Sequence, residues 1–306
     1  MGACLASGRE RVKGKHRPKA LWAPALGVYC WRMEGVRQIS PDEPEVLAAI
    51  QSVLAREPAR HLFLLAALEE LRAGRLTDRL CLYAAADSLE AAALVAPRGV
   101  WIPAATDLGR ARALGAAMQS LPLRKAFGDR AVVDAIWQGY HQGRPAPRTT
   151  RLQRLLEITA DDMGPWVTPE LRLAVEADLE PLVAAETRLD LVAVGEDSLD
   201  ARRQRCLARI RAGRTYVVFD ADRLVFKAGI GSRCRYGAQV EGVYTAPAER
   251  GKGIATRALG QICRNLLSAL PRLTLLADPD NYAALGLYRK LGFGERAELQ
   301  LVVAGE

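Results

Sequence analysis

The chain has 306 residues, half of them hydrophobic and a quarter charged, with a net charge of +8. This length suits two domains with sizeable cores, and no apolar run reaches the ~18–20 residues of a membrane span, so no membrane is expected as a partner. The basic excess is local: residues 1–32 carry seven Lys or Arg against the single acid Glu10, leaving +2 for the remainder, so the folded body is not expected to bind nucleic acid.

The first segment, 1–32, contains "GRERVKGKHRPK", basic and punctuated by Gly and Pro without apolar periodicity. It reads as a disordered tail, or as an over-long start ahead of Met33; a basic arm for nucleic acid or membrane is the other reading. "ALWAPALGVYCW" is too short, and too interrupted by Pro24 and Gly27, for a secretory signal, and "MGACLA" lacks the Ser or Thr at position 6 that myristoylation favours. Cys4, Cys30, Cys81, Cys206, Cys234 and Cys263 lie far apart without a CxxC, and there are three histidines, His16, His61 and His141. Reduced thiols, a cytoplasmic protein and no metal site are expected.

Residues 33–163 read as an α/β domain. "PDEPEVLAAIQSVLAREPARHLFLLAALEELRAG" predicts two helices split near Pro58. "RLCLYAAAD" and "AAALVAPRGVWIP" predict strands, "DLGRARALGAAMQS" a helix, and "LRKAFGDRAVVDAIWQGY" a strand running into a helix. "RLQRLLEIT" is a candidate last strand of this half. A break is expected in "DDMGPWVTPEL".

Residues 170–306 form the second expected domain. "LRLAVEA" alternates as a strand does, "DLEPLVAAETRL" is a helix capped by Asp178, and "SLDARRQRCLARIRAG" is a helix capped by Ser198 and ended by Gly213. "TYVVFDADRLVFKAGIGS" predicts a hairpin turning at "DADR", followed by the strand "AQVEGVYT". Then come the helix "GIATRALGQICRNLLSAL", the buried strand "RLTLLA", the helix "NYAALGLYRKLG" between Asn281 and Gly292, and the strand "ERAELQLVV". The order βααβββαβαβ specifies a mixed α/β sheet.

"ERGKGIATRAL", residues 249–259, opens a helix directly from a glycine turn, a geometry that binds anions. A nucleotide-triphosphate loop needs GxxxxGK and then Ser or Thr; here Ala246 and Gly253 hold the first and last of those positions. A dinucleotide turn needs a small residue where Thr256 stands. The remaining pattern is Arg250, Gly253 and Ala255, with the amides of 251–255 converging on one place, as a pyrophosphate held without metal requires. An ordinary glycine-rich turn is the alternative.

"NYAALGLYRKLGF" places Asn281, Ala284, Leu287, Tyr288, Gly292 and Phe293 in a pattern that resembles the second hallmark of the GNAT superfamily of acyl-CoA-dependent N-acyltransferases; "VEGVYTAPAERGKGIATRAL" resembles the first. The resemblance covers about residues 170–303. The first half lacks both motifs and is a candidate degenerate copy. The expected fold is therefore an α/β mixed twisted sheet of GNAT type in the second half, with a second α/β lobe before it.

This resemblance implies an acetyl or other short acyl group moving from acetyl-CoA, or another short acyl-CoA, to an amine. The acceptor is a small molecule or a peptide or protein amino group. A non-catalytic acyl-CoA-binding or sensing protein is the alternative. The resemblance places the donor between the "AQVEGVYT" and "RLTLLA" strands. Val243 and Thr245 hold the pantetheine, and the amides of Gly251, Lys252, Gly253, Ile254 and Ala255 take the pyrophosphate. Asn281 touches the pantetheine, and Arg250 and Lys252 either support phosphates or stay solvated. Tyr288 protonates the leaving thiolate or simply packs in the core. Glu241 is the candidate base, with an ion pair as its other reading; strand alternation puts Gln239, Glu241 and Val243 on one face and Val240, Gly242 and Tyr244 on the other. Glu196 and Asp197 are further acids for the amine or the helix start.

Overall fold

The computed structural model describes residues 35–305 except 41, 75–80, 86–88, 97–98, 144–145, 163, 165, 167, 169 and 190–197, together with a short antiparallel pair of strands, β1 (Leu21–Trp22) and β2 (Tyr29–Cys30). The rest of segment 1–32, and the candidates Glu196 and Asp197, lie outside the described residues.

The first half runs β3 (Val36–Ile39), α1 (Pro44–Leu54), α2 (Leu62–Arg72), β4 (Cys81–Ala85), β5 (Ala91–Ala96), β6 (Val100–Ala105), α3 (Leu108–Ala117), β7 (Lys125–Asp129), α4 (Arg130–Tyr140) and β8 (Thr149–Ile158). The second runs β9 (Arg172–Leu173), α5 (Leu179–Leu189), α6 (Leu199–Arg211), β10 (Thr215–Asp220), β11 (Arg223–Cys234), β12 (Gly237–Thr245), α7 (Ile254–Leu267), β13 (Leu273–Ala277), α8 (Tyr282–Leu291) and β14 (Gly294–Val303). Both halves follow the order βααβββαβαβ.

Local chemistry sets the boundaries. Ser198 accepts from the Ala201 amide at the start of α6, and Asn281 from the Ala284 amide at the start of α8. α8 ends on Gly292 in the left-handed region, φ 101°. The strand expected over 171–177 is only Arg172–Leu173. Asp178 accepts from the Val175 amide and from Arg172, and this closes a 3-10 turn at Glu176–Asp178 where alternation alone reads strand.

Twelve strands join in one sheet, in the order β3-β4-β5-β6-β7-β14-β8-β13-β12-β11-β10-β9. The last strand of each half crosses over. β14 lies between β7 and β8, both from the first half, and β8 lies between β14 and β13. The sheet is therefore continuous across the expected break at 163–170. Side-chain alternation along β8 fixes the layers. Thr150 pairs with Val302, which is buried in the α3–α4 core, while Leu156 and Ile158, an even number of residues on, belong to the α7–α8 core. Hence α3, α4, α7 and α8 cover one face, and α1, α2, α5 and α6 the other. The far end of the β11–β12 hairpin ties the halves a second time. Arg235 pairs with Glu69 of α2 at 3.3 Å, and Cys234 joins the core beneath α1 and α2.

Candidate active site

In each half the fourth and fifth strands run parallel but pair at only two positions before they diverge. These are Ala238↔Leu273 and Gln239↔Thr274 between β12 and β13, and Val100↔Lys125 and Trp101↔Ala126 between β6 and β7. Beyond the first fork lies a groove of about 500 Å³. Of the residues expected from sequence to meet there, Val243 and Thr245 line it from β12, and Arg250, Gly251, Gly253, Ile254 and Ala255 from the turn into α7. Asn281 and Tyr288 line it from α8. Lys252 is not among its walls: it is exposed and pairs with Glu249 at 3.1 Å.

The start of α7 has the chemistry of an anion site. Its N-cap is Gly253, with φ 77°, so no side chain accepts from the first-turn amides. A Cβ at Gly253 would stand 3.0 Å from the Arg257 guanidinium and in a backbone region that side chains rarely adopt. Glu249 also lines the groove, and hydrogen bonds from Arg223 at 2.8 Å and Lys252 at 3.1 Å hold it below the usual carboxylate range and offset its charge. Asn281 has its side-chain oxygen committed to the Ala284 amide, 3.1 Å away, which leaves its NH₂ as the donor available to a ligand.

Tyr288 packs in the core and also reaches the groove. Its ring lies in the α7–α8 core, 5.9 Å from Phe293. Burial pushes its phenol up to about 12, and burial alone does the same to the Cys263 thiol. The unfolded phenol titrates near ~10, so between pH 10 and 12 the unfolded chain gives up a proton that the native chain keeps, and stability falls as pH rises. Denaturant melts between pH 9.5 and 11.5 should show that fall. In Tyr288→Phe it should be smaller, by about 2 kcal/mol at the alkaline end.

Glu241 departs from the alternation expected on β12. Gly242 adopts φ 57°, and the register with β11 slips there, Glu241 facing Gly229 and Tyr244 facing Lys227. This bulge turns the strand over. Val243 now packs with Val240 in the α7–α8 core, while Glu241 and Tyr244 face α5 and α6. Glu241 stands outside the groove's walls, and Arg209 Nη2 of α6 lies 2.6 Å from its Oε1. The ion-pair reading of this carboxylate is thus the geometry found.

Three residues of this neighbourhood were not expected from sequence. Lys227, with 3% of its side chain exposed, pairs with Glu186 of α5, and Arg209 bridges from Glu186 at 3.9 Å to Glu241. Lys227 had a readable signal, a lone lysine in the apolar strand "LVFKAGIG". Glu186 and Arg209 had none, because the packing of α5 against α6 is not written in either helix.

The first half repeats the fork without the anion chemistry. α3 is capped by Asp107, whose carboxylate accepts from the Arg110 amide at 2.7 Å where α7 presents Gly253. Between β6 and β7 the edge-to-face pair Phe63 and Phe127 leaves about 10 Å³. Where these strands end against the starts of α3 and α4, the place that the groove holds in the second half, a cavity of about 430 Å³ opens. It is bordered by Ala105, Thr106, Leu108, Asp129 and His61, whose pKa is lowered by burial. Among the described residues, no helix is long and apolar enough to cross a membrane, and no three His, Cys, Asp or Glu gather as metal ligands would.

The profile of the acetyltransferase (GNAT) family matches residues 180–293. A search of curated proteins finds no match. Among solved structures, a Drosophila protein superposes with a TM-score of 0.65 at 14% identity, over 88% of this chain and 98% of its own. A GCN5-related N-acetyltransferase from Sphaerobacter thermophilus gives 0.59 at 17% identity, over 87% and 94%. A tandem GNAT protein from the clavulanic acid biosynthesis pathway gives 0.56 at 12%, over 89% and 98%. At these identities the likeness speaks for the fold, and it extends over both halves.

Proposed function

Residues 180–293 form a domain of the acetyltransferase (GNAT) family, and on that premise we propose that the protein passes a short acyl group, acetyl in the first instance, from acyl-CoA directly to an amine. The observation that carries this reading is the meeting, on one groove, of a forked parallel strand pair, a helix start capped by glycine and a buried phenol.

The donor's pyrophosphate lies against the amides of 251–255, its pantetheine runs beside Val243 and Thr245 as an added strand, and the Asn281 NH₂ donates to it. The amine nitrogen attacks the thioester carbon, the C–S bond breaks, and the departing thiolate takes the Tyr288 proton, which the phenolate regains from the nitrogen as the amide forms. A phenol near 12 holds its proton at every working pH. Against a free thiol near ~8.5 the transfer is uphill, but a thiolate forming in the same desolvated groove is raised by the same cause, which narrows the gap. Glu241, through its position beside the bulge, takes the proton that the ammonium must lose.

Acetyl-CoA incubated with a panel of primary amines and with peptides bearing free amino groups, with thiol release as the readout, tests this reading. Amine-dependent release is expected from at least one class. CoA binding without release across the panel would leave a binding or sensing protein instead.

A further inference from the structure

The ion chain beside the forked strands has one fixed end and one loose end. Lys227, Glu186, Arg209 and Glu241 alternate in sign. At the fixed end Lys227 is sealed in, and its ammonium lies over Gly242, where an added Cβ would stand 3.1 Å from Nζ and 3.5 Å from the Glu186 carboxylate. The loose end is different. Arg209 is about a third exposed, 36%, and touches Glu186 only at 3.9 Å. Its Nη2 lies 2.6 Å from Glu241 Oε1, yet without the alignment of a hydrogen bond: Oε1 is shut off from solvent and has no hydrogen-bond partner. Gly231 leaves this space, since a Cβ there would lie 2.6 Å from Glu241 Oε2.

Glu241 is about a quarter exposed, 26%, but its Oε1 is cut off from water, so that oxygen depends on the cation beside it. The cation beside Glu241 satisfies it by proximity alone, so a better-directed N⁺–H donor gains the charge-assisted hydrogen bond that Arg209 does not make. We propose that Arg209 is the resting counter-ion of Glu241 and the specificity-determining residue of the acceptor site, its guanidinium holding the place that the acceptor's ammonium takes. This rests on the acyl-transfer reading above. With Arg209 swung aside, Lys227, Glu186 and Glu241 together carry one negative charge. The acceptor class that fits is a primary amine bound as a monocation, with no carboxylate next to its nitrogen. Once bound, its ammonium passes one proton to Glu241 Oε1 and is left as the neutral nucleophile.

Two measurements test this. In the first, Arg209→Ala, Arg209→Met and the double variant Arg209→Ala/Glu241→Gln are melted with methylguanidinium or ethylammonium chloride, against sodium chloride at equal ionic strength. Cations filling the vacated place should raise the Tm of Arg209→Ala by a few degrees at about 10 mM, with smaller shifts in the wild type and the double variant. Equal shifts in all of them would overturn the proposal. In the second, phenethylamine and phenylalanine are compared as acceptors from acetyl-CoA. Arg209→Met should lower the KM for phenethylamine about tenfold, equivalent to ~1.4 kcal/mol no longer spent on displacing the arginine, and phenylalanine should remain the poorer acceptor. Phenylalanine preferred by the wild type, with the preference lost in Arg209→Met, would overturn the proposal by making Arg209 a carboxylate binder. Absence of thiol release with every amine would sink the acyl-transfer reading while the cation melts still report on Arg209.

Discussion

Residues 170–306 expressed alone are expected not to fold as a monomer. In the intact sheet β14 has two neighbours, β7 and β8, and both come from the first half. Without them Leu299, Val302 and Val303, all buried, face water. At roughly 1.5–3 kcal/mol per large apolar side chain this forfeits about 5–9 kcal/mol, comparable to the whole stability of a domain. β13 also loses its five-residue pairing with β8 and becomes an open edge beside the groove. Because β8 and β14 hold equivalent places in the two halves, the fragment's simplest repair is to exchange β14 with a second copy. Sedimentation should therefore show dimers or larger species, and co-expression with residues 33–163 should restore a one-to-one complex. A cooperative, monomeric fragment would contradict the crossing of the strands.

Tyr288→Phe is expected to lower kcat by about 10²–10⁴, the range for losing a positioned general acid, with acetyl-CoA affinity changed little. The substitution removes one oxygen and keeps the ring against Phe293, so the core is preserved and only the proton source is lost. The effect should be largest with donors whose thiol is least acidic, because those leaving groups depend most on protonation. An unchanged kcat would assign Tyr288 to packing alone and leave protonation of the thiolate to solvent.

The elements of the second half were legible where one residue type sets a boundary: Ser198 and Asn281 as caps, Gly292 past a helix end, and "DADR", where Ala221 takes the positive φ of 50° that the tight turn needs. What alternation could not carry was the bulge. Gly242 reads as one more residue in a period of two, yet its φ of 57° exchanges the faces of everything after it, separating Glu241 from Val243. The crossing of β8 and β14 was equally hidden, since "RLQRLLEIT" and "ERAELQLVV" show only that each is a strand. Their neighbours are fixed by which edge is open when the other half folds. The glycine turn and Tyr288 could be found because each is local, whereas the Lys227–Glu186–Arg209–Glu241 chain is assembled from two helices and two strands and has no local signature.

A calorimetric titration with acetyl-CoA tests most directly the claim that the groove at the start of α7 is the donor site. The wild type should bind one molecule per chain, because at the other fork the Asp107 carboxylate already caps the first turn of α3 and puts a negative charge where a pyrophosphate would lie. Gly253→Val should abolish binding while the protein stays folded, since a branched side chain at φ 77° distorts the amides that receive the pyrophosphate. No binding by the wild type, two molecules per chain, or undiminished binding by Gly253→Val would contradict it.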